Sequence, residues 1–405
     1  MPRRRLAAIF GVSAVFAALV AIFSSDSVHQ LWGAMAACGY GLAVVAVYAW
    51  KSRGADVALG LSFVGGLLLP LAWMADHALE QPEVAVVARS ASSLVHHGTP
   101  YAAAATLAAT TDPNAYNPYL PVMALFGLPR ALFGGGILTD PRVWFGAVFV
   151  LVFWYALRRG GSRDPVRWAV LVAACPVIAF ELAVGGTDVP MVAFLCLGFA
   201  FLWQRRPVLA GLALGVAAAM KATAWPAVLV AIALIAVRDG KRTVGVFTLT
   251  TVALVAAVIG PFFVHPRALF ENTIKFPLGL AHVTSQASSP LPGHIIAETG
   301  FVGHTIVVVL LVLAGLAVAV SLVVRPPRTV PRAVVLLAGA MTLMFVLAPS
   351  TRFGYLIYPA TLALWLLATV AGRAERDELV TPGPGVPPAS SRTSCRTSPA
   401  TQPAA

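Results

Sequence analysis

Twelve stretches of this chain are apolar over lengths that approach or reach the width of a bilayer's hydrocarbon core: 6–24, 31–50, 55–75, 141–158, 166–184, 188–204, 207–221, 224–238, 243–264, 302–324, 333–349 and 354–371. A helix needs roughly 17–25 such residues to cross about 30 Å. In hydrocarbon every backbone N–H and C=O must find a partner within the protein, and runs of this kind solve that as helices. Only 11% of the 405 residues are charged, against about one quarter in soluble domains. The expected fold is therefore all-α and polytopic, with about twelve transmembrane helices.

The distribution of charge orients the chain. With the N-terminus in the cytoplasm, the cytoplasmic loops are Lys51–Arg53, Arg158–Arg167, Gln204–Arg206, Arg238–Arg242 and Arg325–Arg332. Together with Arg3–Arg5 and the C-terminal tail they carry 21 of the 28 Lys and Arg residues, as the positive-inside rule requires. The outer side keeps Arg89, Arg130, Arg142, Lys221, Arg267, Lys275 and Arg352. The net charge of +12 thus arises from short loops between spans and does not point to nucleic acid. The same topology puts all eight histidines outside or at the outer membrane edge, so the polar chemistry is expected on the extracytoplasmic face of the cytoplasmic membrane, with both termini inside. The start "MPRRRLAAIFGVSAVFAALVAIF" has the form of a signal peptide. The spans that follow favour an uncleaved first helix.

These boundaries divide the chain into a three-span segment (1–75), a first outer loop (76–140), a central six-span bundle (141–264), a second outer loop (265–301), a three-span C-terminal segment (302–373) and a low-complexity tail (374–405) expected to be disordered. The first loop opens with "QPEVAVVARSASSLVHHGTPY", which reads as an amphipathic helix. Pro82 suits a first helical position, Glu83 suits the positive N-terminus, and Val84, Val87, Ala88, Ala91 and Leu94 or Val95 recur at helical spacing. Gly98 supplies a stop. The next apolar piece, "NPYLPVMALFGLPRALFGGG", reads as an interfacial or re-entrant helix, because a further span there would turn Arg158–Arg167 outward.

Few residues in or beside these spans can carry chemistry. Glu83 either compensates a helix dipole or faces a site at the membrane surface. Lys221 is the sole charge in a long apolar region, and it either snorkels to the interface or holds an anion. In "FELAVGGTDVPM", Thr187 or Asp188 makes a good helix N-cap, with Pro190 in the first turn, and that reading accounts for Asp188. Arg352, with Tyr355 and Tyr358 in "APSTRFGYLIYP", fits an aromatic belt with an anchoring cation or a phosphate-binding role. The His96-His97 pair is too close in sequence to imply a metal. Cys38, Cys175 and Cys196 lie in apolar spans and Cys395 in the tail, with no spacing that suggests a disulfide or zinc. No Walker, GxSxG or dinucleotide motif is present, which argues against an ATP-driven pump or a standard hydrolase.

Three passages carry a family resemblance: the outer loop running from "PE" through "HHGTPY" to "NPYLPVMALFGLPRALFG", the stretch "GGTDVPMVAFLCLGFAFLWQRRPVLAGLALGVAAAMKATAWPAVLV", and the ending "TRFGYLIYPATLALW". Together they resemble the GT-C glycosyltransferases, and most of all the mannosyltransferase-like glycosyltransferase family 87 of actinobacteria. The class usually opens its first outer loop with an Asp, often in an acidic pair, after a single span. Here Glu83 stands at that place after three spans, with Asp76 and Glu80 as rivals.

The resemblance implies GT-C architecture and transfer of a sugar, mannose first, from a polyprenyl-phosphate donor to a glycan, glycolipid or protein hydroxyl. Glu83 would act as general base, Lys221 and Arg352 (with Arg89 second) would hold the donor phosphate, and Tyr101, Tyr116, Asn117, Asp188, His96, His97 and Tyr355 would line the sugar and acceptor pocket. No cofactor or metal is called for beyond the lipid-linked co-substrate. The competing reading is a multi-span transporter or lipid flippase, against which stand the missing six-plus-six repeat and the 65-residue first loop.

Overall fold

The computed structural model describes residues 3–50, 52–283 and 287–380, with side chains to residue 374. The expected disorder of the tail concerns residues that lie almost wholly outside the described ones. Among the described residues eight helices are long and apolar enough to cross a membrane, or nine if one bent pair counts as a span. They are α1 (Arg3–Phe23), α2 (Ser27–Ala49), α3 (Gly54–Asp76), α5 (Pro141–Gly160), α11 (Lys241–Val264, its last turn tightened), α12 (Phe301–Val324), α13 (Val330–Leu347) and α14 (Phe353–Ala374). The bent pair is α6 (Pro165–Ala173) and α7 (Pro176–Val184), at 66° to one another. The amphipathic α4 (Pro82–His97) lies in the first loop.

Every apolar stretch of the sequence is therefore helical, but the expected twelve spans are not all of spanning length. The stretches at 188–204, 207–221 and 224–238 fold as α8 (Asp188–Trp203, 16 residues), α9 (Pro207–Ala218, 12 residues) and α10 (Trp225–Arg238, 14 residues). These fall short of the roughly 20 residues that cross hydrocarbon unaided. Protein, not lipid, explains their composition: in α8 all but two of the sixteen residues are buried in the core. A helix apolar all round belongs in a core as well as in a membrane. Among the described residues no strand forms, and a single bridge joins Ser288 to Thr351.

Two interruptions are explained by proline. Pro70 in α3 has no N–H for the carbonyl of Gly66 four residues earlier. A π-helical turn forms over Val64–Leu68, and Trp32 of α2 donates its indole N–H to Gly66 O at 2.9 Å. At the α6–α7 bend, beside Pro176, Tyr40 of α2 donates its hydroxyl to Ala174 O at 2.8 Å. Both bonds replace ladder partners that water cannot supply at membrane depth.

The apolar piece after α4 is a short broken helix, 3-10 over Pro121–Gly127 and α over Leu128–Phe133. It packs on α4. A Cβ at Gly127 would sit 2.6 Å from Val87 O, so glycine sets that approach.

Candidate active site

Four segments converge on one polar pocket: the start of α4, the turn from α7 to α8, the turn after α9, and the strand-like residues that enter α14. The first two are joined by backbone. Gln81 N–H donates to Val184 O at 3.0 Å. Gly185, at φ +139°, turns the chain in a region side chains rarely adopt, and a Cβ there would meet Val84 of α4 at 2.5 Å. The third is tied down by Leu120 N–H to Met220 O (2.9 Å) and Val122 N–H to Ala219 O (3.2 Å). The fourth is pinned by Ser289 N–H to Thr351 O (2.9 Å), Thr351 N–H to Ala287 O (3.0 Å) and the Thr351 hydroxyl to Phe345 O (2.9 Å).

Two ion pairs result. Lys221 Nζ donates to Asp188 Oδ1 at 2.5 Å, and both side chains are nearly enclosed. The same oxygen accepts from the Tyr358 hydroxyl, which also contacts Thr223 Oγ1 at 2.7 Å. The Lys221 ammonium lies 5.4 Å from the ring centres of both Tyr119 and Tyr355, within cation–π range. Of the two cap candidates, Thr187 holds the cap position, without a side-chain cap bond, while Asp188 is drawn to Lys221 and Tyr358.

The second pair joins Arg352 Nη1 to Glu83 Oε1 across 269 residues of sequence. Glu83 Oε2 is enclosed and has no hydrogen-bond partner among the described residues. Burial pulls the Arg352 guanidinium below its ordinary value, while Tyr355 opposes that shift. A guanidinium is so strong a base that the group still carries its charge.

A third acid is near. Glu181 of α7 is 9% exposed, and its carboxylate is pressed against the backbone at Gly186 and Gly354, where a Cβ at either glycine would collide with it. The sequence reading missed it, although an acid inside an apolar run is itself a signal.

The other expected residues are distributed as follows. Tyr355 belongs to the pocket. Tyr101 donates its hydroxyl to Tyr119 O at 3.1 Å, and burial raises its phenol. Asn117 is buried, and its amide bonds Pro100 O (3.1 Å) and Tyr119 N–H (3.1 Å), so both residues support the wall behind Tyr119. Tyr116 stacks on Phe276 of the second loop at 4.6 Å. Arg89 turns away and donates to Asn114 O. His96 and His97 are exposed at the far end of α4, roughly 20 Å from Glu83 along the helix. Of the rival acids, Asp76 is exposed beside His77, and Glu80 is neutralised by Arg130 at 3.0 Å. No group of three or more His, Cys, Asp or Glu converges as a metal would need among the described residues.

A cavity of about 500 Å³ adjoins the Lys221 turn. Leu120, Ala222, Trp225, Ile259, Phe263 and Phe270 line much of it, so an apolar recess lies directly beside a cationic one.

Comparison with known proteins gives three findings. No curated protein matches the chain. The crystal structure of ArnT from Cupriavidus metallidurans in the apo state is similar at 19% identity and a TM-score of 0.46, over 80% of this chain and 62% of that one. The chain thus spans less than two thirds of that protein's length. The model for glycosyltransferase family 87 matches residues 117–349, more than half of the sequence and the part that holds Asp188, Lys221 and the apolar recess. The chain belongs to glycosyltransferase family 87.

Proposed function

We propose that this glycosyltransferase takes a sugar, with mannose the first choice, from a polyprenyl-phosphate donor. It passes the sugar to a hydroxyl of a glycan, glycolipid or protein on the outer face of the cytoplasmic membrane. The observation that carries the reading is the state of Glu83. One carboxylate oxygen is held by Arg352 and the other is enclosed without a partner. An enclosed acceptor left unbonded costs on the order of 1–3 kcal/mol or more, and such a cost is sustained where a substrate proton completes the bond. Glu83 Oε2 would accept the acceptor hydroxyl's proton as its oxygen bonds to the anomeric carbon. The bond from that carbon to the phosphate oxygen breaks, and the lipid phosphate leaves with the added charge.

Two cations suit that leaving group. Lys221 uses one of its three donors on Asp188, and Arg352 uses only Nη1 on Glu83. The apolar recess beside Lys221 suits an isoprenoid chain. The charge rule, with 21 basic residues on the opposite side, supports an extracytoplasmic site.

Membranes containing the protein are to be screened for transfer from a panel of polyprenyl-phosphate sugars. Transfer from at least one, strongly reduced in Glu83→Gln, is the expected result. Undiminished transfer by Glu83→Gln overturns the base assignment. Absence of transfer from every lipid-linked donor, with movement of a substrate across sealed vesicles, overturns the enzymatic reading.

A further inference from the structure

The loop between α12 and α13 borders a second, open recess of about 410 Å³, apart from the site above. It is lined by Ser321, Val324, Arg325, Pro326, Pro327, Arg328, Arg332 and Leu336. Three arginines, all exposed, therefore border one recess. Among the described residues none of the three donates a side-chain hydrogen bond or enters an ion pair; the bond at Arg332 is from its backbone N–H to Thr329 Oγ1 at 3.4 Å. The stretch 321–336 contains no Asp or Glu to neutralise them. Pro326 and Pro327 stiffen the loop that holds them.

The recess lies at the opposite end of α13 from Thr351 and Arg352. Eighteen helical residues separate the two ends, about 27 Å at 1.5 Å per residue. It is thus at the other membrane face, where the charge rule collects basic residues. Beside it, α12 turns almost its whole surface outward: Gly303 and Val307 are its buried residues, while Leu316, Val320, Val323 and Val324 are exposed. Three exposed arginines that border one recess between two helices, with an uncovered apolar face rising from it, match an anionic headgroup with acyl chains attached.

We infer that the α12–α13 loop is a binding site for the phosphoryl headgroup of an anionic membrane phospholipid, whose acyl chains lie along the outer face of α12. Arg325, Arg328 and Arg332 receive the phosphate, and Ser321 adds a neutral donor at the rim.

The test is lipid binding to the delipidated full-length protein, followed by native mass spectrometry and by thermal unfolding. Phosphatidylglycerol is compared with phosphatidylcholine of the same chains, and inorganic phosphate is a third arm. The expected result is retention of phosphatidylglycerol over phosphatidylcholine and a rise in melting temperature. Affinity should fall about a hundredfold in the Arg325→Gln, Arg328→Gln, Arg332→Gln protein, taking about fivefold per arginine. The corresponding triple Lys protein keeps the charge and should keep the preference for the anionic lipid. Equal retention of the two lipids overturns the proposal. So does an unchanged phosphatidylglycerol affinity in the Gln protein, or a stabilisation by inorganic phosphate as large as that by the lipid. Should the triple Gln protein fail to fold, Arg328→Gln alone must still weaken phosphatidylglycerol binding, and an unchanged affinity there overturns the site.

Discussion

The Asp188–Lys221 and Glu83–Arg352 pairs are linked through Tyr355, yet their carboxylates are used differently. Asp188 is closed in. Its Oδ1 accepts from both Lys221 and Tyr358, and two aromatic rings flank the ammonium. Both of its members lie inside the segment that matches the family. Glu83 and Arg352 lie outside that segment, on opposite sides of it, and Glu83 keeps one oxygen unbonded. The first pair is a completed structure that positions a cation. The second is incomplete, which suits the base role proposed for Glu83. On that proposal, holding power and reactivity are divided between two carboxylates a few side chains apart.

The sharpest way to break that division is Glu83→Gln, which keeps shape and removes basicity. Transfer should drop by about 10²–10⁴-fold with the melting temperature nearly unchanged, as read by initial rates and thermal unfolding on the same preparation. Asp188→Ala should act first on stability. It strands Lys221 in a nearly enclosed site, for a loss of about 3–5 kcal/mol of stability, and a melting temperature equal to wild type would refute the structural role given to that pair. Gly354→Ala drives a methyl into the Glu181 carboxylate; the expected destabilisation is about 1–3 kcal/mol, with transfer reduced because Arg352 lies two residues away. Tyr358→Phe removes one donor to Asp188 while keeping the ring, for about 1 kcal/mol by chemical denaturation. Smallest of all is the joint change His96→Ala and His97→Ala. These side chains are exposed and remote from Glu83, so rates should shift by no more than about twofold. A larger drop would extend the pocket to the far end of α4.

Much of the fold was legible because lipid and protein interiors both select apolar helices. That shared preference is also why length misled: the composition of α8 was set by protein neighbours on all sides, which hydropathy cannot separate from acyl chains. Lys221, Asp188 and Arg352 each stood out in the sequence for separate reasons, and the fold brings them together around Tyr355 and Tyr358. The apolar surroundings that marked Lys221 mark Glu181 as well, but its place before a glycine turn made it look like part of a connection. Tyr116 and Asn117 were harder. Their partners, Phe276 and Asn272, sit about 160 residues away, with Asn272 Oδ1 accepting from Asn117 N–H at 2.8 Å, and no local pattern records a contact of that range.

The bond from Tyr40 to Ala174 has a consequence for how this chain can be shortened. Family 87 begins to match only at residue 117, which makes the first three helices look like a detachable preface. Yet α2 supplies the hydroxyl that quiets a main-chain carbonyl at the break between α6 and α7. A version trimmed of residues 1–75 would carry that bare oxygen within hydrocarbon, at the hinge whose lower arm presents Glu181 and leads to Asp188. The leading helices thus serve as a splint for the bend, and a chain shortened by residues 1–75 would need a new donor to the Ala174 carbonyl before it could hold its shape.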